Sequence, residues 1–179
     1  MVWSTAGSVF SGSTTAPAST WQPGTWTGAI LGAGNNGAGQ LGIGNTTSRT
    51  MFAQAGTSTS WMTTAAGAGQ TCAITGSGTL WCWGQNGSGQ LGLGDTTQRT
   101  SPVQVGSGTI WTTVAAGDTQ SCATKSDGTL WCWGDGGNGA LGLGGTTSFN
   151  TPQQVAGGSW QEVRAGENHT CAVKTTGTL

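Results

Sequence analysis

Charge is scarce along this chain: five Lys and Arg and six Asp and Glu are spread through 179 residues, whereas an ordinary soluble domain carries roughly 25% charged side chains. The cations Arg49, Arg99, Lys125, Arg164 and Lys174 stand singly. No cluster exists that could neutralise a run of phosphates, which excludes nucleic acid as an expected partner. Tyrosine is absent and histidine occurs once, at His169. With no C-x-x-C pair and one imidazole, a structural zinc site lacks its four close ligands. Long apolar runs are missing too, so membrane insertion is not expected. The opening segment MVWSTAGSVFSGSTTAPAST has neither a basic leader nor an apolar core of signal-peptide length. Any route to the outside is therefore expected to use something other than an N-terminal secretion signal.

What the chain has instead is glycine, 35 residues of it, with abundant Thr and Ser. That composition indicates short strands and tight turns, with few helices. The stretch NGSGQLGLGD (86–95) carries the G-x-G-x-x-G spacing of a dinucleotide-binding loop, but it recurs as NGAGQLGIGN (36–45) and GGNGALGLGG (136–145). Each copy is followed by a short Thr-rich segment rather than a helix whose N-terminus could hold a pyrophosphate. These glycines punctuate a repeat.

Aligned on the glycine run, the chain divides into an N-terminal Ser/Thr/Ala-rich segment (1–29), read as a docking arm, and three units of about 50 residues, 30–79, 80–129 and 130–179. Each unit runs from a strand such as TLWCWG through the glycine loop, a polar TTQRT turn and an extended SPVQV to WTTVAAG and QSCATK. Four short strands per unit with turn residues between them is the signature of a β-propeller blade. The expected fold is all-β: about three blades of four antiparallel strands, an incomplete ring unless it is oligomeric or part of a longer chain.

The strings TCAITGSGTLWCWGQNGSGQLGLGDTTQRTSPVQV and AAGDTQSCATKSDGTLWCWGDGGNGALGLGGTTSFNTPQQV, with AGENHTCAVKTTGTL at the end, closely resemble the regulator-of-chromosome-condensation repeat from Ile30 to Leu179. The resemblance implies a β-propeller, usually of seven blades in that family, and points to a bacterial or viral member. Eukaryotic members include a guanine-nucleotide exchange factor that binds chromatin. Similar repeats in bacterial secreted and surface proteins, including an inhibitor of β-lactamases, act as binding surfaces. A shared fold does not carry a site with it.

Cys72 and Cys82 are ten residues apart, as are Cys122 and Cys132, and each pair flanks a glycine turn. A hairpin centred on Ser77 or Asp127 sets the members of a pair opposite each other, where they either bridge or stay as buried thiols. Bridging predicts an oxidising place of work. Cys171 is expected to be free, because its partner in that spacing falls past residue 179 and the equivalent N-terminal position is Gly32. Trp81 and Trp83 share one strand face, as do Trp131 and Trp133, while Trp61, Trp111 and Trp160 recur once per unit. This is the pattern of packing between neighbouring repeats. Trp3, Trp21 and Trp26 fall outside the register and, with Ile30 and Leu31, are the predicted inter-chain contacts.

No convergent set of catalytic groups is present. Most of the acidic residues occupy turn positions, and His169 reads as a hydrogen-bonding strand residue. No enzymatic activity, cofactor or metal is expected. The predicted function is that of a non-catalytic structural or adhesive binding protein on a virion or cell surface. Its expected partners are proteins, either other copies of itself or neighbouring structural proteins. The alternatives are a soluble protein-binding or inhibitor propeller and an exchange factor for a small GTPase. The chain stops at TTGTL, where other units run on into WCWG, and ILGAG (30–34) occupies that strand's place at the start. The expectation is either a piece of a longer propeller, the favoured reading, or subunits joined head to tail.

Overall fold

The computed structural model describes residues 27–108 and 110–175, and these form an all-β structure of twelve antiparallel strands. The strands are β1 (Leu31–Gly34), β2 (Arg49–Gln54), β3 (Trp61–Ala66), β4 (Gln70–Thr75), β5 (Leu80–Gly84) and β6 (Arg99–Gln104). They continue with β7 (Trp111–Ala116), β8 (Gln120–Lys125), β9 (Leu130–Gly134), β10 (Phe149–Val155), β11 (Trp160–Ala165) and β12 (Thr170–Lys174). Strands β3 to β6 make one four-stranded sheet and β7 to β10 a second, each paired in sequence order, while β1–β2 and β11–β12 form two-stranded sheets. Together they are blades of part of a propeller ring.

Each four-stranded blade straddles two of the 50-residue units. The sheet 61–104 takes β3 and β4 from the unit 30–79 and β5 and β6 from the unit 80–129. Consecutive units are thereby interlocked, because the unit boundary falls in the β4–β5 hairpin, whose two strands pair within one sheet.

The core lies between blades. Cys72, Ile74, Leu80, Cys82 and Leu91 of the first blade and its loop pack with Trp111, Val114, Ala123 and Trp133 of the second. An equivalent cluster joins Cys122, Leu130, Cys132 and Leu141 to Val163. Trp83 and Trp133 are fully buried. An indole removes roughly 150–250 Å² from water, on the order of 4–6 kcal/mol at about 25 cal/mol per Å². A repeat with so little charge relies on this inter-blade burial, since no blade can cover its own face.

Two further devices tie blades together. Gln70 donates its side-chain N–H to the carbonyls of Gly117 (3.2 Å) and Gln120 (3.3 Å). Gln120 repeats the bond toward Gly166 (3.0 Å) and His169 (3.3 Å). The turns after β3, β7 and β11 also bond in series, Ala68 N–H to the Gly117 carbonyl and Asp118 N–H to that of Glu167, both at 3.2 Å.

Candidate functional site

The glycine loops are structural cradles. Asn36 and Asn86 are buried, and each side chain bonds three backbone groups of its own loop. Asn86 accepts the Leu91 N–H at 2.9 Å and donates to the carbonyls of Asp95 and Thr97 at 2.9 and 3.1 Å. Its N-x-[ST] sequence is thus enclosed by the fold. Gly42, at φ +70°, lies so close to Trp83 that a Cβ there would sit 2.6 Å from the indole nitrogen. The same loop position in the next unit, Gly92, meets Trp133 at 2.8 Å. These two loops each receive the tryptophan of the following blade, which is what their repeated glycine spacing accommodates.

Cys72 and Cys82 face each other across β4 and β5 and are bridged. Cys122 and Cys132 do the same across β8 and β9. All four are buried. Cys171, on β12, is unbridged and exposed.

Behind each bridge stands an aromatic corner. The Trp61 ring meets Trp81 edge-on at 6.1 Å and Trp83 at 5.9 Å. In the next blade Trp111 meets Trp131 at 6.4 Å and Trp133 at 6.3 Å. There the Lys125 ammonium sits over both faces, 3.9 Å from the Trp131 centroid and 4.6 Å from that of Trp111. Lys174 lies 5.1 Å over Trp160.

Two of the arginines are also engaged. Arg99 pairs with Asp95 at 2.6 Å, and Arg164 pairs with Glu162. The carboxyls of Asp95, Asp127 and Asp135 are all held below the ordinary aspartate range. The leading causes are the backbone N–H of Thr97 for Asp95, the Thr129 hydroxyl for Asp127 and the backbone N–H of Gly137 for Asp135. They act as turn caps. Among the described residues no group of three His, Cys, Asp or Glu is placed to hold a metal ion. His169 aligns with Gln70 and Gln120 and lies against Gly166 as they lie against Gly67 and Gly117. It stands just before β12 rather than in the strand, however, and it is its backbone carbonyl that accepts a bond, from Gln120.

Of the predicted inter-chain contacts, Trp3, Trp21 and Trp26 lie outside the described residues, as does most of the segment 1–29. Ile30 packs half-buried against the cluster of Ala55, Trp61, Ala73 and Trp83. Leu31 is exposed on β1. On the paired strand β2, Met51 and Phe52 are not among the expected contacts, yet they are 80% and 75% exposed. Their signal was present: RTMFAQ replaces the RTSPVQ and FNTPQQ of the other units.

The family model described as Regulator of chromosome condensation (RCC1) repeat matches residues 77–124 and 127–173. A second model of the same description matches residues 63–90 and 111–140. No curated protein matches the chain. Among solved structures, human WBSCR16 superposes with a TM-score of 0.71 at 22% identity, over 84% of this chain and 41% of its own. Yeast RCC1 (Prp20), in its crystal structure bound to Kap60, gives 0.72 at 22% identity over 84% of this chain and 38% of its own. Prp20p from Saccharomyces cerevisiae, whose binding to Gsp1p and histones accompanies its structure, gives 0.71 at 19% over 80% and 39%. The chain spans about two fifths of the length of these structures, and at such identity the likeness is one of fold.

Proposed function

The chain belongs to the regulator of chromosome condensation (RCC1) repeat family, and on that premise we propose that it is a non-catalytic, protein-binding structural component exposed on a virus particle or cell surface. The observation that carries this reading is the apolar surface of the first sheet. Leu31, Met51 and Phe52 are 55%, 80% and 75% exposed on two neighbouring strands. Exposed large apolar side chains on one small sheet support a protein contact there. The partner proposed is another copy of the chain or a neighbouring structural protein.

The buried bridges support work in an oxidising place, where cross-links of this kind form and persist. A role resting on phosphate or chromatin contact has less support, because Arg99 and Arg164 are paired with carboxylates and Lys125 and Lys174 lie on indole rings.

The test is sedimentation of the full chain with and without the double substitution Met51→Asp and Phe52→Asp. The expected result is concentration-dependent association that the variant loses while keeping its circular dichroism. A wild-type chain that stays monomeric at micromolar concentration and shows no contact with a co-assembling structural protein would overturn the reading.

A further inference from the structure

Three strand pairs in this chain are equivalent by register. Trp61 stands opposite Thr75, Trp111 opposite Lys125, and Trp160 opposite Lys174. In the second and third pairs the lysine ammonium lies over the indole. In the first the cation is missing and a threonine stands in its place. Beside that threonine is a cavity of about 550 Å³ whose lining includes Gly56, Trp61, Thr75, Trp81 and Pro102. The equivalent cavity one blade on is lined by Gly106, Trp111, Lys125 and Pro152 and measures about 380 Å³. The chain therefore shows what this architecture holds when filled: a cation against two indoles set nearly at right angles.

We propose that the cavity between the β2–β3 loop and the β4–β5 hairpin binds a trimethylammonium group, entering where Lys125 enters its own blade. Trp61 and Trp81 meet edge-on at 90° and supply two aromatic walls, the arrangement that attracts a cation through the ring quadrupole. The remaining lining decides which cation. Thr75 is hydrogen-bonded to Ser77 at 2.9 Å and to Thr79 at 2.5 Å, Ser58 to Ser60 at 3.0 Å, and Trp81 donates to Thr79 at 2.9 Å. These hydroxyls already serve one another. A free primary ammonium is strongly hydrated and would have to shed its water to enter, a cost that a lysine tethered to the strand, as Lys125 is, offsets.

In the second blade an aspartate, Asp127, stands two residues from Lys125 in the β8–β9 hairpin. At the equivalent position the first blade has Ser77, and no carboxylate lines the cavity. A trimethylammonium group has no N–H to satisfy and spreads its charge over methyls. It suits an uncharged box of indoles and hydroxyls.

The experiment follows the indole N–H signals by nuclear magnetic resonance while tetramethylammonium chloride is titrated into the full chain, against sodium chloride at matched ionic strength. One site is expected, shifting Trp61 and Trp81, with a dissociation constant on the order of 1 mM. Thr75→Lys should fill the site with a tethered ammonium and abolish the shifts. Lys125→Thr should open a second site and add Trp111 and Trp131 to the responding signals. Trp81→Leu removes one wall and should weaken binding at least tenfold, which keeps the proposal testable even if Thr75→Lys does not fold. Choline chloride and a trimethyllysine peptide, titrated in parallel, show whether the group arrives free or on a protein chain. The proposal fails if no indole responds to tetramethylammonium up to tens of millimolar, or if folded Thr75→Lys binds as the wild type does. None of these readouts depends on self-association, so they stand or fall apart from the surface role.

Discussion

Trp83 donates its indole N–H to the carbonyl of Gln40 at 2.9 Å, and Gly42, in the same loop, leaves no room for a side chain against that nitrogen. The glycine loop and the tryptophan of the next blade are one joint. Gly42→Ala must both hold a left-handed backbone and push back a fully buried ring, so a loss of about 3 kcal/mol or more is expected. Gly92→Ala should behave alike against Trp133. Gly142→Ala has the same positive φ, but the nearest atom to its Cβ is Val155 at 3.9 Å, so only the backbone cost of about 1 kcal/mol remains. Urea unfolding of the three variants measures the ranking; equal losses would break the link to tryptophan.

The bridges Cys72–Cys82 and Cys122–Cys132 each close a loop of ten residues. The chain-entropy relation gives about 2.5–3 kcal/mol for a loop of that size. Replacing Cys122 and Cys132 together by alanine is expected to lower stability by that order, read as a drop in melting temperature. Peptide mapping should find these two pairs and Cys171 unbridged. A bridge from Cys171 to any of the other four would refute the pairing.

Asn86 holds its loop shut from within. Asn86→Ala leaves the buried Leu91 N–H and the Asp95 carbonyl without that partner and the Thr97 carbonyl with Arg99 alone, and a loss of about 2–4 kcal/mol is expected. Chemical denaturation checks the size. Mass spectrometry of protein made in a glycosylating host should find Asn86 unmodified.

The local features were legible because they depend on spacing within a few residues. Ten residues about a glycine turn put Cys72 opposite Cys82, and the period of two along LWCWG set Trp81 and Trp83 on one face. What lay across blades was not legible. The blade boundary falls in the middle of the repeat unit, because a repeat can be cut anywhere along its period and only hydrogen bonding between β5 and β6 shows where a sheet ends. The Lys125 ammonium on two indoles and the open site beside Thr75 needed the register of β7 with β8 and the packing of Trp131 behind it. Met51 and Phe52 broke the repeat pattern in plain view, but an alignment by period treats departures as noise.

Gln120 offers a test of the inter-blade bonds with a defined pH dependence. Its side chain is buried and its N–H donates to the carbonyls of Gly166 and His169. Gln120→Glu replaces that donor by a carboxylate aimed at two acceptors in a dry site. Ionisation there is opposed by burial and by both carbonyls, so the carboxyl's folded-state pKa rises above its unfolded value of about 4.3. A carboxyl shifted upward penalises the folded state at neutral pH, and the penalty fades as pH falls through the folded value toward the unfolded one. The variant should lose about 3 kcal/mol or more at pH 7 and regain part of it on acidification toward about pH 4.5. The wild type should show no such recovery. Its shifted carboxyls, Asp95, Asp127 and Asp135, are all held below the ordinary value, so their contribution is complete above about pH 4 and declines only below it. Stability curves of the two proteins from pH 7 to 4.5 should converge; curves that run parallel would show that Gln120 does not bond the next blade as described.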